Sequence, residues 1–591
     1  MMLCKNRIRR FSIFLLSAIF LIQASATVKA RPLQFQQLLT EFTTDKTKKG
    51  TAELRPPRVF DVQHYVIRIA FNREKKTVIG DVTVRLKPLA QGLKTFSLDA
   101  GDEERFKVES ITLENSNTLL TYKLNDEKLQ ITLDKAYSAN DTIGVRIVYQ
   151  AQPKRGLYFI KQSKTRGYDA PAQIWTQGEP EDNHFWFPCY DYPDDKATTE
   201  QFITTQGNEL AVGNGALQET KTNIDDTKTF HWKMDVPHVS YLTSLVVGNF
   251  VKLEDTYKET PLEYYVYSGS EDLTRRVFAQ TPQMMKFFET KFNFPFPYKR
   301  YAQTIVNEYS LFAGMENITA TTLSDNIILE DDADRSYEAE ELISHELAHS
   351  WFGNLVTCKD WSHLWLNEGF ATFMEAAYRE HTEGREAYVK KIRNDAMAYF
   401  SSEAYGRRHP LVNKFYGNPM TIFDSTNYQK GGFVIHMLRQ TVGEETFWKA
   451  LNLYLNEYKF KSAETADLQR VFEKVSGKNL MWFFDQWVYK AGFPTLKVSY
   501  KFIDKTKRLQ LTIEQTQVAD DITPTVFRLF ADVQIVTDKG TRTEKVEISK
   551  RSQTFTFKVN DKFLQVWVDR DYNLLRLLNF PQAQEQMKRV A

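Results

Sequence analysis

The run His345-Glu346-Leu347-Ala348-His349 holds the side chains with the clearest chemical capacity in this chain. On a helix, positions i and i+4 lie on one face, close enough for both imidazoles to share a metal ion. Catalytic zinc takes three protein ligands and leaves a fourth position to water. Glu368, within Trp365-Leu366-Asn367-Glu368-Gly369-Phe370-Ala371, can open a second helix and return a carboxylate as the third ligand. A structural zinc site normally closes with four Cys or His ligands. Here the third candidate is a carboxylate, and the cysteines (Cys4, Cys189 and Cys358) lie elsewhere. One Zn2+ per chain is therefore expected on His345, His349 and Glu368. Zinc lowers the pKa of a bound water to about 7. Glu346 beside it can take that proton and pass it to a leaving amine, which is the chemistry of amide hydrolysis.

Two helices must position these groups. Glu338, Glu340 and Glu341 suit the positive N-terminal end of the first, its interior lacks Pro and Gly, and Gly353-Asn354 supplies a stop. Helical stretches are expected over Tyr337–Phe352, Leu364–His381 and Phe433–Tyr458, broken by Gly and Pro. Before them the pattern is different. Val82, Val84 and Leu86 alternate with Asp81, Thr83 and Arg85, the period of half-buried strands, and similar runs recur to about residue 255. From Gly492-Phe493-Pro494 onward alternation returns, at Leu496, Val498 and Tyr500 and again at Leu509, Leu511 and Ile513, as in a small β-sandwich. The expected fold is multidomain α+β. It comprises an N-terminal antiparallel β domain over 57–255, a mostly helical catalytic domain over 256–491, a C-terminal β-sandwich over 492–577 and a tail over 578–591.

Several further motifs carry a family likeness: Ala313-Gly314-Met315-Glu316-Asn317, Thr176-Gln177-Gly178-Glu179-Pro180, Phe187-Pro188-Cys189 and Tyr428-Gln429-Lys430-Gly431. Together with the zinc motif and the β, catalytic, β order from about 57 to 577, they make the chain resemble the gluzincin aminopeptidases, the group of alanyl aminopeptidase and leukotriene hydrolase. The resemblance implies a thermolysin-like catalytic domain. It also implies that Glu316 and Glu179 bind the free α-ammonium of a peptide, that Tyr428 donates to the oxyanion, and that residues 313–315 run along an extended substrate, with Asn317 completing the motif. Two converging carboxylates would be poorly satisfied by an internal peptide bond, which offers no cation. A free N-terminus is therefore the expected requirement.

The chain departs from the family pattern in three places. Ala313 stands where the motif's first Gly is usual, so a Cβ there would narrow the approach or shift the preferred first residue. Phe423 replaces the second tyrosine of the leukotriene-hydrolase branch, which argues against epoxide hydrolysis. The large C-terminal helical domain of bigger relatives has no counterpart here, and a more open cleft is expected. Asn317-Ile318-Thr319 also reads as a glycosylation sequon, a coincidence if it is buried in the amine-binding motif. The alternatives to an aminopeptidase are a zinc endopeptidase with the same metal site and a catalytically silent peptide-binding protein. Retention of every candidate catalytic residue weighs against the silent form.

Composition sets the remaining bounds. The 591 residues suggest about three or four domains. With 42% hydrophobic and 26% charged side chains, wholesale disorder and a multi-pass membrane protein are disfavoured. Seventy-seven basic against 75 acidic residues leave a net charge of +2 and no global footprint for nucleic acid or an anionic membrane. Lys5, Arg7, Arg9 and Arg10, the apolar run Phe11–Ile22 and small residues at Ala24, Ala26 and Ala30 form the layout of a signal peptide over 1–30. Cleavage after Ala26 or Ala30 would export the protein to a periplasm or beyond the cell, with no stable membrane insertion. Residues 31–56 are a polar lead-in. Cys189 and Cys358 are either bridged or, as the simpler reading, two buried free thiols. Oligomeric state is not encoded in any of these patterns.

Overall fold

A computed structural model describes residues 57–583, apart from 117, 166, 310–312 and 329–332. The expected signal peptide and lead-in, and the end of the tail, lie outside the described residues.

Alternation dictates the first domain. Val82, Val84 and Leu86 are fully buried in the strand Thr77–Pro88, as the period-two pattern requires. That strand sits inside a seven-stranded sheet, flanked by Phe60–Asn72 and Ile143–Ala151. Smaller sheets of two, three and four strands complete the domain. The sheet is not wholly antiparallel as expected, because Phe60–Asn72 pairs in parallel with Ala197–Thr205. Only a tight turn forces antiparallel neighbours, and a long connection such as residues 73–196 lets the chain re-enter from the same end.

The change of character expected near 256 falls inside a hairpin, Val251–Tyr257 with Thr260–Val266. This hairpin joins Tyr301–Val306, Ala320–Ser324 and the short edge strand Gly314–Met315 in one five-stranded sheet. Among the described residues the first α-helix starts only at Glu271. Four later helices position the site: α1 (Ala333–Ala348), α2 (Trp365–Glu383), α3 (Arg385–Ala404) and α4 (Gly431–Val442). α1 ends at Ala348, short of the predicted Phe352. The predicted stretch Phe433–Tyr458 divides at Gly443, whose φ of 94° favours glycine.

α2 is the central element. From Trp365 to Met374 every residue is buried, so this half of the helix is enclosed on all sides and belongs to the core. A carboxylate such as Glu368 in that setting needs a cationic partner.

The C-terminal region is β-rich, with a four-stranded sheet centred on Thr495–Ile503 and Arg508–Gln515 and a three-stranded sheet centred on Leu529–Thr537. Leu509, Leu511, Ile513, Val533, Ile535 and Val566 are fully buried and continue the core of the catalytic helices. The parallel strand Leu577–Asn579 pairs with Thr495–Lys497, so the predicted tail begins inside this sheet. Cys189 and Cys358 are buried thiols that form no disulfide.

Candidate metal centre and substrate cleft

The last turn of α1 presents His345, His349 follows directly at its end on the same face, its N–H bonded to the His345 carbonyl, and the first turn of α2 presents Glu368 against them. Glu368 Oε2 lies 3.2 Å from His345 Nε2 and 3.4 Å from His349 Nε2. All three side chains are buried, and their ligand atoms fall within 4.8 Å of one another. Each imidazole is oriented from behind: His345 Nδ1 is 2.6 Å from Glu375 Oε1, and His349 Nδ1 is 2.9 Å from the Phe352 carbonyl oxygen. Both acceptors assign the ring proton to Nδ1 and turn the Nε2 lone pairs toward Glu368, the arrangement metal-ligating histidines use. Burial opposes ionisation of Glu368, yet the two imidazoles hold its carboxyl down to about 2.

Glu346 projects beside this triad, against the edge strand. A Cβ on Gly314 would stand 2.1 Å from Glu346 Oε1, so only glycine lets the carboxylate approach. Burial, with Glu316 and Glu368 nearby, pushes the Glu346 carboxyl up to about 8 against the pull of both histidines. Glu316 and Glu179 complete a buried acidic wall, and the ligand atoms of Glu179, Glu316 and Glu368 also lie within 4.8 Å of one another. The Glu316 backbone is held by Asn354 Nδ2, which donates to its carbonyl at 2.7 Å. Glu179 Oε1, Glu316 Oε1 and Glu346 Oε2 are buried with no hydrogen-bond partner. Burial without a cation disfavours the ionised form of all three and raises their carboxyls, and a cation placed among them would restore the charge. Three buried carboxyls with unpartnered oxygens around a His-His-Glu set fit a site built for cations: a divalent ion and an ammonium group.

Tyr428 sits on a single π-helical turn, Thr426–Lys430, that runs directly into α4. Such turns recur at functional sites because they re-aim a side chain. Its ring lies parallel to that of His345, 6.0 Å between centroids. Burial raises the phenol well above its ordinary pKa, so it stays a hydrogen donor. The turn is gauged against Glu368 by a glycine pair: a Cβ on Gly369 would meet the Gly431 backbone at 3.0 Å. α2 and the start of α4, directly after the Tyr428 turn, therefore approach backbone to backbone, one residue from Glu368.

These groups line one cleft of about 940 Å³, together with Ala313, Gly314, Met420, Phe423 and Arg407. Glu179, Ala313, Gly314, Glu316, His345, Glu346, His349, Glu368 and Tyr428 are thus brought together as expected from sequence. Met315 and Asn317 are not among the cleft-lining side chains. Met315 is buried, its sulfur accepting from Gln177 Nε2 at 3.1 Å, and Asn317 donates to Thr322 Oγ1 at 3.0 Å. Successive strand residues face opposite ways, so Met315 points away from the side that Gly314 and Glu316 share. The sequon asparagine is likewise buried. Gly314–Met315 is the terminal strand of its sheet, with one edge available for an extended chain.

Sequence reasoning missed Glu375, Asn354 and the cleft wall of Arg407–His409. Glu375 had a usable signal, since it falls at i+7 from Glu368 and so on the same face of one helix. The wall lies on a loop with no periodic pattern.

A buried His-His-Glu donor set between two helices, entered from a flanking β domain, defines the gluzincin class of metallopeptidase fold. Residues 61–242 match the Peptidase M1 N-terminal domain, and residues 277–487 match the Peptidase family M1 domain. The chain belongs to peptidase family M1. It is 31% identical over 549 residues to aminopeptidase 2, mitochondrial, of Saccharomyces cerevisiae, covering 88% of this chain and 56% of that one. It is 30% identical over 347 residues to aminopeptidase N of Streptomyces lividans, covering 56% and 39%. The crystal structure of Legionella pneumophila aminopeptidase A in complex with aspartic acid has the same fold, with a TM-score of 0.76 at 19% identity over 90% of this chain and 61% of that chain. The chain spans about half the length of the curated relatives it matches.

Proposed function

We propose that this protein is a zinc-dependent aminopeptidase that hydrolyses the N-terminal peptide bond of peptides. The observation that carries this reading is the pair of orphaned carboxylate oxygens on Glu179 and Glu316, buried beside the His-His-Glu set. An α-ammonium group supplies the charge both lack. An acetylated or internal amide would leave them unpaired, at a cost of several kcal/mol.

The donor set fits zinc, since both Nε2 atoms and the Glu368 carboxylate converge with their orientations fixed from behind. His345, His349 and Glu368 would hold the ion, which when bound polarises the scissile carbonyl and acidifies a water. Glu346, pressed against Gly314, takes a proton from the attacking water and delivers it to the leaving amine. Tyr428 donates its phenolic proton to the oxyanion from a water-poor position. The Ala313–Met315 edge aligns the peptide backbone as an added strand. Relatives that carry the name aminopeptidase support the same reading.

The test is a mixed peptide set, each member with a free and an acetylated N-terminus, incubated with and without chelator and read by mass spectrometry. Stepwise loss of first residues from the free peptides alone, abolished by chelation, is expected. Internal cleavage of both forms would replace the reading with an endopeptidase, and binding without cleavage in zinc-replete protein with a silent scaffold.

Export to a periplasm or the cell exterior is part of the proposal and rests on residues 1–30. N-terminal sequencing of the protein recovered from its source should begin at Thr27 or Arg31. A mature chain that keeps Met1 would refute export by cleavage. Among the described residues no helix is long and apolar enough to cross a membrane.

A further inference from the structure

Behind the metal ligands runs a buried line of alternating charge that the reaction itself does not use. Glu375, two turns along α2 from Glu368, spans two elements with its two oxygens. Oε1 is 2.6 Å from His345 Nδ1 on α1, and Oε2 is 2.7 Å from Lys391 Nζ on α3. Lys391 Nζ also lies 2.8 Å from Asp395 Oδ1, one turn further along α3. Side-chain exposure is 12% for Glu375, 8% for Lys391 and 10% for Asp395, so solvent does little to screen the chain. Burial works against the charge on Lys391, but Glu375, Asp395 and Glu341 of α1 outweigh it and keep the ammonium protonated.

An ammonium has three donors and no acceptor. With two of its donors directed at Glu375 and Asp395, Lys391 ties α2 to α3 at the level of the metal ligands. A competing position for Glu375 is near at hand. Arg379 lies one helical turn along α2, on the same face, already paired with Glu341 and Glu383. Without Lys391, the Glu375 carboxylate would swing toward that guanidinium, and His345 would lose the acceptor that orients its ring.

We propose that Lys391 is a positioning residue for the metal centre: by clamping Glu375 Oε2 it aims Oε1 at His345 Nδ1 and so holds His345 Nε2 toward the ion. Lys391 touches neither substrate nor ion and acts only through Glu375. The inference rests on the zinc reading above. It adds a requirement that none of the sequence motifs contains, for a lysine on the helix that follows the ligand helix.

The test is zinc affinity, measured on the metal-free full chain by competition with a chromophoric chelator, with the unfolding midpoint of each metal-free variant recorded alongside. Loss of a partner that orients a ligating histidine weakens metal binding about 10–100-fold, and that loss is expected for Lys391→Met. Lys391→Arg, which keeps the cation and its reach, should recover most of the affinity. At saturating zinc the Lys391→Met variant should regain kcat with KM for a free-N-terminus peptide unchanged, a split that general loosening of the fold would not produce. Should Lys391→Met fail to fold, Lys391→Gln combined with Asp395→Asn removes the charges in balance and carries the same prediction. Zinc affinity within twofold of the parent in either folded variant would overturn the role of Lys391 while leaving the zinc reading intact. A parent protein that binds no zinc would overturn both.

Discussion

Glu346→Gln is expected to lower kcat by about 10²–10⁴-fold, the range for loss of a positioned general base, equivalent to roughly 3–5 kcal/mol of transition-state stabilisation. The change is nearly isosteric, so the carboxamide still fits against Gly314, where there is no room for a larger group. It removes the capacity to accept a proton from water and to return it to the leaving amine. Glu346 is not among the His345, His349 and Glu368 donors, so zinc content should stay at one per chain and KM should change little. The paired measurement is steady-state kinetics with metal analysis on the same preparation. A zinc-loaded Glu346→Gln protein that keeps a tenth or more of the parent kcat would assign proton transfer to another group.

Glu316→Gln is expected to act on recognition. Breaking a buried charge pair by removing one partner costs about 3–5 kcal/mol, so kcat/KM for peptides with a free N-terminus should fall by roughly 10²–10⁴-fold. The acetylated form of the same peptide has no ammonium to lose, and its low rate should hardly change. The informative quantity is therefore the ratio of kcat/KM between free and acetylated forms, which should collapse toward unity. Glu179 lies within reach of the same ammonium, which makes Glu179→Gln a smaller version of this effect and the double variant less than additive. An unchanged ratio in Glu316→Gln would mean that this wall of the cleft does not read the amine.

The candidate metal ligands were legible because their geometry is local. Two histidines at i and i+4 face the same way on any helix, although α1 ends at Ala348, more than a turn before the Gly353-Asn354 stop. Alternation likewise placed the strands of both β regions, with Val82, Val84, Leu86, Leu509, Leu511 and Ile513 all buried as the pattern required. Where a link is long, pattern carries no pairing partner. The parallel contact of Phe60–Asn72 with Ala197–Thr205 is the plainest case. The hairpin over 251–266 is another, since its first strand reads as the end of one domain and pairs into the sheet of the next.

The amino-acid sequence alone thus determined which side chains could hold a metal ion, the helices that carry them, the β, helical, β order and, through its motifs, the family. All of these follow from spacing along the chain, where covalent geometry limits the outcome. Only the tertiary structure decided that Glu179, Glu316 and Glu346 meet with unpaired oxygens beside the ligands. It alone decided that Gly369 and Gly431 touch to set the Tyr428 turn, that Met315 faces inward, and that Glu375 and Lys391 brace His345. Those contacts join residues far apart in the chain. Their distances are set by how apolar faces of separate elements pack into one core, and no spacing in the sequence encodes that packing.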